Sequence, residues 1–156
     1  MRDARALSGR EVTAVSRADL DITDLDAERV AVAGHHVVIN ASAYTRVDNA
    51  ESNESDAFAV NATGAQNFAI AASETDAKLV QVSTDYVFDG SATSPYDAAT
   101  TLNSISAYGQ IKAEGERLAL AANPDGTYIV RTTWLYSAGP PTSPRPCCDS
   151  RRATTR

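Results

Sequence analysis

The sequence predicts an α/β fold built on a doubly wound parallel sheet, and three observations carry that expectation. Four strand-length runs, EVTAVSR, HVVINASAY, KLVQVST and TYIVRTTW, are apolar without the alternation of a half-solvated strand. Segments of helical period lie between them, the order that yields parallel strands joined by crossover helices. The carboxyl ends of the four runs carry Ser16 and Arg17, Ala41 to Thr45, Ser83 to Tyr86, and Thr133 and Trp134. Small, hydroxyl and aromatic groups thus gather at the sheet edge where ligands of open α/β sheets sit.

Taken in order, residues 4–10 (ARALSGR) read as the last turns of a helix with Gly9 at its C-terminal position. EVTAVSR (11–17) reads as a buried strand. In RADLDITDLDAERVAVAG, Thr23 or Asp24 can cap a helix that runs through Val30 and stops at Gly34. Asp24 and Asp26 read as cap and helix-dipole partners. HVVINASAY (36–44) is the second buried strand. Residues 47–77 are mostly helical, with Phe58, Ala65, Phe68, Ala69 and Ala72 on one face of the later part. KLVQVST (78–84) and TYIVRTTW (127–134) are the third and fourth strands. The helix between them carries Ile111, Gly115, Leu118 and Ala122 on one face, and Pro124 closes it.

Composition narrows the function. An apolar share of 43% and a charged share of 22% suit a globular chain of one domain. No run has membrane-spanning length and no signal peptide opens the chain, so cytoplasm is the expected location and no membrane partner is expected. Residues 1–139 hold 10 Lys/Arg against 19 Asp/Glu, a net of −9, which disfavours nucleic acid as a partner. Cys147 and Cys148 are adjacent, and His35 and His36 stand before a strand without further ligands, so no metal site is expected.

The segment 78–112 carries the chemistry. Its strand delivers Ser83, Thr84 and Asp85, and the following helix opens with Tyr108 and Lys112, four residues apart and so on one face. Chance supplies about 0.08 Tyr-x-x-x-Lys pairs in a chain of this composition, so the context supplies the weight. An ammonium beside a phenol favours the phenolate. Lys112 can hold the ribose of a nicotinamide cofactor while Tyr108 protonates a carbonyl oxygen, and Thr84 can bond that oxygen or the phenol. Arg17, with Ser16, stands where a cofactor 2′-phosphate would lie, or is simply solvated. Asp21 either meets an adenine amine or caps a turn. Trp134 is a core aromatic or, as we favour, a stacking surface for a substrate ring.

These residues together resemble the extended short-chain dehydrogenase/reductase family, in its dTDP-4-dehydrorhamnose reductase branch. The resemblance rests on ADLDITD (18–24), INASAYTRVDNAE (39–51), VNATGAQN (60–67), VSTDYVFDG (82–90), SAYGQIKAEGE (106–116) and VRTTWLY (130–136), and covers residues 7–136. It implies NADPH- or NADH-dependent reduction of the 4-keto group of dTDP-4-dehydro-6-deoxy-L-mannose to dTDP-L-rhamnose, so the expected partner is a nucleotide sugar. It implies Tyr108 as proton donor, Lys112 as its cofactor-anchoring partner and Thr84 as the hydroxyl that tunes Tyr108. Thr84 and Asp85 would touch the sugar and Trp134 would flank it. Ser16, Arg17, Asp21, Ile22, Ala41, Ser42, Ala43, Tyr44, Thr45 and Ser83 would join Tyr108 and Lys112 around the cofactor, with Asp21 and Ile22 at the adenine.

Two departures shape the expected domain plan. A Rossmann-like domain of strand order 3-2-1-4-5-6 opens with a strand and a Gly-rich turn, and neither is present. The family's carboxy-terminal substrate domain is also expected to be missing, with its magnesium site and the interface of its homodimer. Residues 1–136 are thus expected to form a partial NAD(P)-binding domain. Residues 137–156, with four of the six prolines, both cysteines and a net charge of +3 over 140–156, read as a disordered tail, evolved or out of frame. The alternative function is a non-catalytic remnant or regulatory binder of the same fold, in the style of the regulatory subunit of methionine adenosyltransferase.

Overall fold

The structure, a computed structural model, describes residues 9 and 11–133. The elements run in the order α1 (Leu25–Val32), β1 (Val37–Asn40), α2 (Val47–Ala50), α3 (Glu54–Phe58), α4 (Gly64–Glu74), β2 (Lys78–Thr84), α5 (Ala107–Ala122) and β3 (Thr127–Thr132). A π-helical turn, Ala59–Thr63, joins α3 to α4, and a 3₁₀ turn, Asp85–Val87, follows β2. The three strands pair in parallel, in the order β1-β2-β3.

The helices begin and end where side chains supply the missing bonds. Asp24, rather than Thr23, caps α1: its Oδ1 accepts the backbone N–H groups of Asp26 at 3.0 Å and Ala27 at 3.1 Å. Arg29, one turn on, forms a two-pronged ion pair with Glu74 of α4 at 2.7 and 2.9 Å, tying the two helices at the surface. Ser106 caps α5 by accepting the N–H of Gly109 at 3.2 Å. Glu51, outside α5, accepts the N–H of Ala107 at 3.0 Å, so a second orphan donor of that helix is satisfied.

The core is built largely from alanine. Ala69, Ala71, Ala72, Ala77 and Ala119 pack with Leu20, Val32, Phe68 and Leu79 between α1, α4, α5 and the sheet. A second cluster joins Ala50, Ala57 and Ala62 to Tyr108 and Ile111. Small side chains bring the helices close, and Gly115 of α5 is a point of near contact with the π turn. A Cβ there would stand 2.2 Å from the carbonyl oxygen of Asn61 in the π turn, which is backbone and cannot move aside.

Several expectations are corrected. Residues 11–16 form no strand: among the described residues no neighbouring strand completes a ladder with them, and all but Val12 are exposed. A run of β-branched residues becomes a strand only where its backbone groups find partners. The second strand stops at Asn40 instead of continuing to Tyr44, because the Asn40 carboxamide accepts the N–H of Ser42 at 3.0 Å and turns the chain. The sheet is covered on one face only among the described residues. Val37 (55% exposed), Ile39 (64%), Tyr128 (56%) and Val130 (46%) share the open face. Phe58 is also partly exposed, whereas Ala65, Phe68, Ala69 and Ala72 are buried as expected. The helix expected at 4–10, Trp134 and the tail from 137 lie outside the described residues, Gly9 apart.

One buried group opposes the fold. Glu28 of α1 is fully buried with neither carboxyl oxygen bonded. Burial first, and the charges of Asp21 and Asp24 second, push its pKa up to about 9. Between its ordinary value of 4.5 and about 9 the folded chain therefore holds a proton that the unfolded chain releases. Stability contributed at this site must fall as pH rises through that window. Glu28→Leu is expected to raise stability at pH 7.5 by about 1–3 kcal/mol and to flatten the decline in Tm between pH 5 and 7.5, followed by thermal melts. Gly115→Ala is expected to cost about 1–3 kcal/mol in urea titrations, because the π turn cannot yield to the added methyl.

Candidate active site

Two groups of residues assemble at the carboxyl edge of the sheet. The first encloses a cleft of about 860 Å³ between residues 13–23, the segment after β1, and the helical run that includes Asp56, Val60 and Phe68. Ser16, Arg17, Asp21, Ile22, Ala41, Ser42, Ala43, Tyr44 and Thr45, named above as cofactor candidates, all line it.

Local hydrogen bonds shape the cleft walls. Ser16 donates from its N–H and hydroxyl to Asp19 at 2.9 and 2.7 Å, which holds that carboxyl below its usual range. Asp21 accepts the N–H and hydroxyl of Thr23 at 3.0 and 2.8 Å. Those two bonds, with a smaller effect of the Arg17 charge, lower its pKa. The turn-capping role foreseen for Asp21 is thus present, at a position that also faces the cleft. Arg17 stands exposed at the rim.

On the opposite wall, Asn40 is buried and donates to the Gln81 carboxamide at 2.9 Å across the β1–β2 pair, while its own oxygen also accepts the Ser42 hydroxyl. Asn61, buried in the π turn, grips the backbone of Tyr44 from both sides. Its Oδ1 accepts the Tyr44 N–H at 2.9 Å and its Nδ2 donates to the Tyr44 carbonyl at 3.2 Å.

The second group sits where β2 meets α5. The Thr84 hydroxyl donates to Asp85 at 3.1 Å and accepts the Tyr86 N–H at 3.2 Å, which starts the 3₁₀ turn. Tyr108 is 8% exposed and meets the edge of Tyr86 with ring centroids 5.9 Å apart. Gly109 lets this happen: a Cβ there would lie 2.1 Å from the Tyr86 carbonyl oxygen. Lys112 is 4% exposed, and its Nζ donates to the Val82 carbonyl at 2.9 Å. Burial pulls its pKa down to about 8, against the opposing charge of Glu116. Between about 8 and the ordinary 10.5 the unfolded chain keeps a proton the folded chain gives up, so this residue adds stability as pH rises there.

Tyr44 joins the two groups, since it lines the cleft and also packs against the cluster that holds Tyr108 and Ile111. Ser83, expected to face a cofactor, turns its hydroxyl to Glu116 at 2.5 Å. Thr84, Asp85, Tyr108 and Lys112 do not line the cleft, and Tyr108 is linked to it through Tyr44. Sequence reading passed over Asn61, Glu116 and Arg131. Glu116 had a legible signal, because it continues the four-residue spacing of Tyr108 and Lys112 along one face of α5. Among the described residues no helix is long and apolar enough to cross a membrane.

The arrangement offers a proton-bearing phenol and an ammonium, both buried beside a strand end, next to a cleft of ligand size. The family pattern described as the RmlD substrate binding domain matches residues 1–143. A curated relative from Streptomyces griseus, named dTDP-4-dehydrorhamnose reductase, is 49% identical over 135 residues, covering 85% of this chain and 44% of that protein. A crystal structure of a dTDP-4-dehydrorhamnose reductase from Clostridium acetobutylicum superposes with a TM-score of 0.82 at 42% identity, covering 89% of this chain and 50% of that one. The corresponding Bacillus anthracis protein, solved in complex with NADP, gives a TM-score of 0.77 at 38% identity, covering 81% of this chain and 45% of that one. The chain spans about half the length, or less, of the relatives it matches. The fold is thus the Rossmann-like α/β fold of these reductases, and the chain belongs to the RmlD substrate binding domain family.

Proposed function

We propose that this chain is the cofactor-holding portion of a nucleotide-sugar reductase that acts on the 4-keto group of dTDP-4-dehydro-6-deoxy-L-mannose with NADPH or NADH. The observation that carries the reading is the buried Tyr108–Lys112 pair on α5, packed through Tyr44 against the cleft at the sheet's carboxyl edge. The names of the relatives and the NADP held by the Bacillus anthracis protein support it.

The residues present suit a nicotinamide dinucleotide. The cleft volume of about 860 Å³ lies within the range of small-molecule sites. Ala41, Ser42 and Ala43 leave its floor open to a close approach, and Arg17 places a cation at its rim. Ser16, Arg17, Asp21 and Ile22 would hold the adenosine end, with Ala41 to Thr45 along the rest. When bound, the nicotinamide supplies hydride to the carbonyl carbon.

The chain's own residues manage the proton. Tyr108 holds the hydroxyl proton that passes to the carbonyl oxygen as hydride arrives. Lys112, anchored on the Val82 carbonyl, brings a positive charge to that phenol and meets the cofactor ribose. Thr84, whose hydroxyl is already oriented by Asp85 and Tyr86, can turn to the same oxygen. In this reading Thr84 and Asp85 contact the sugar, and Trp134 is assigned to the same substrate by the resemblance alone.

Tyr108→Phe is expected to lower turnover of the keto-sugar nucleotide by about 10²–10⁴-fold, read as loss of nicotinamide absorbance, with cofactor affinity kept by calorimetry. Cofactor binding without turnover in the unaltered chain would instead favour the non-catalytic binder. Arg17→Ala is expected to weaken NADPH about tenfold while leaving NADH unchanged, a difference of about 1.4 kcal/mol in paired titrations. Equal loss for both cofactors would remove Arg17 from the phosphate.

A further inference from the structure

The face of α5 that carries Tyr108 and Lys112 continues one turn further to Glu116, and all three side chains are buried, at 8%, 4% and 2% exposure. The Glu116 carboxylate is fully engaged. Its Oε1 accepts the Ser83 hydroxyl at 2.5 Å and Arg131 Nε at 3.0 Å, and its Oε2 accepts Arg131 Nη2 at 2.7 Å. Ser83 and Arg131 are register partners on β2 and β3, so one carboxylate grips two adjacent strands.

We propose that Glu116 is a positioning residue for the Tyr108–Lys112 site: it ties the end of β2 to α5 through Ser83, draws Arg131 beneath the 89–103 loop, and serves as the counter-charge of buried Lys112. Lys112 holds the carbonyl of Val82 and Glu116 holds the side chain of Ser83, so consecutive residues of β2 are fastened by consecutive turns of α5. Thr84 comes next, and its place relative to Tyr108 follows from those two fastenings. Arg131 extends the hold, donating from Nη1 to the Ala98 carbonyl at 2.9 Å and lying 5.4 Å from the Phe88 ring centroid. Phe88 in turn stacks on Tyr96 at 4.3 Å, inside the loop that joins the 3₁₀ turn to α5.

The charges around Lys112 make the counter-charge role readable. Glu116, on the same helix, is the group whose charge opposes the effect of burial on Lys112. Arg131 of β3 engages that same carboxylate, β2 contributes the Val82 carbonyl and the Ser83 hydroxyl, Asp85 in the 3₁₀ turn is bonded by Thr84, and Tyr108 is buried one turn away on α5 itself. Removing the Glu116 charge should lower the pH at which Lys112 titrates. Removing the Arg131 charge should raise it, because the carboxylate then acts on Lys112 alone.

The inference rests on reading Tyr108 and Lys112 as the catalytic pair, yet its test needs neither cofactor nor substrate. The chain contains two lysines, Lys78 and Lys112. In the full chain labelled with ¹³Cε-lysine, Lys78→Arg assigns the two signals, and the pH titration of Lys112 is followed by NMR. E116Q is expected to move the Lys112 midpoint down and R131Q to move it up, with Lys78 unchanged in both. In turnover assays E116Q is expected to lower kcat about tenfold, with KM for the keto-sugar within about twofold. A Lys112 midpoint unmoved in E116Q overturns the proposal. Should E116Q fail to fold, an unmoved or lowered midpoint in R131Q overturns it equally. Failure of turnover in the unaltered chain would count against the reductase reading and leave the titration result standing.

Discussion

The junction of β2 with α5 governs the rest of the molecule. β2 is flanked by strands on both sides, and Val82 and Ser83 near its end meet the helix that carries the reactive pair. The junction is polar, which is costly in a protein interior. An ammonium and a carboxylate lie there nearly out of water, beside a half-buried guanidinium. Their desolvation is offset because every bonding position of the carboxylate is occupied and the ammonium rests on a backbone carbonyl. Such a knot adds little net stability. What it adds is one geometry, because a shift of either element leaves a charge unpaired.

Around that knot the packing is chosen for closeness. Alanine-lined contacts and Gly115 bring α5 against the π turn, and the π turn aims Asn61 at the backbone of Tyr44. The extra residue of a π turn rotates the side chains that follow it relative to those before. Here that places a carboxamide where it can satisfy both the donor and the acceptor of one peptide unit. The cleft wall is therefore set by the same helix contact that sets Tyr108, and the two halves of the site cannot drift independently.

Legibility in the sequence followed the range of the interaction. Asp24 as a cap, Pro124 after α5 and Tyr108 with Lys112 on one face depend on neighbours within a few residues, and each was readable. The gathering of residues 41–45 in one cleft was foreshadowed too, because strand ends in a parallel sheet converge by topology. The run 11–17 misled because its composition is that of a strand while its partners are a property of the whole sheet. The open face of Val37, Ile39, Tyr128 and Val130 was invisible for the same reason: continuous apolar strands announce two covered faces, and only packing shows which is covered. The Glu116–Arg131 clamp and the Asn61–Tyr44 clasp join residues 15 and 17 apart through the fold; spacing along α5 could single out Glu116, but no local pattern marks the partners Arg131 and Asn61.

The outer edge of β1 bears on how the chain behaves among its own copies. Among the described residues Val37–Asn40 pairs with β2 on one side only, and the apolar face beside it is open. An unpaired strand edge next to exposed valine, isoleucine and tyrosine is a template for another extended segment. The edge is only four residues long and carries no lysine, proline or bulge to blunt it. Pairing of such edges is an encounter between molecules, so it depends on concentration where internal packing does not.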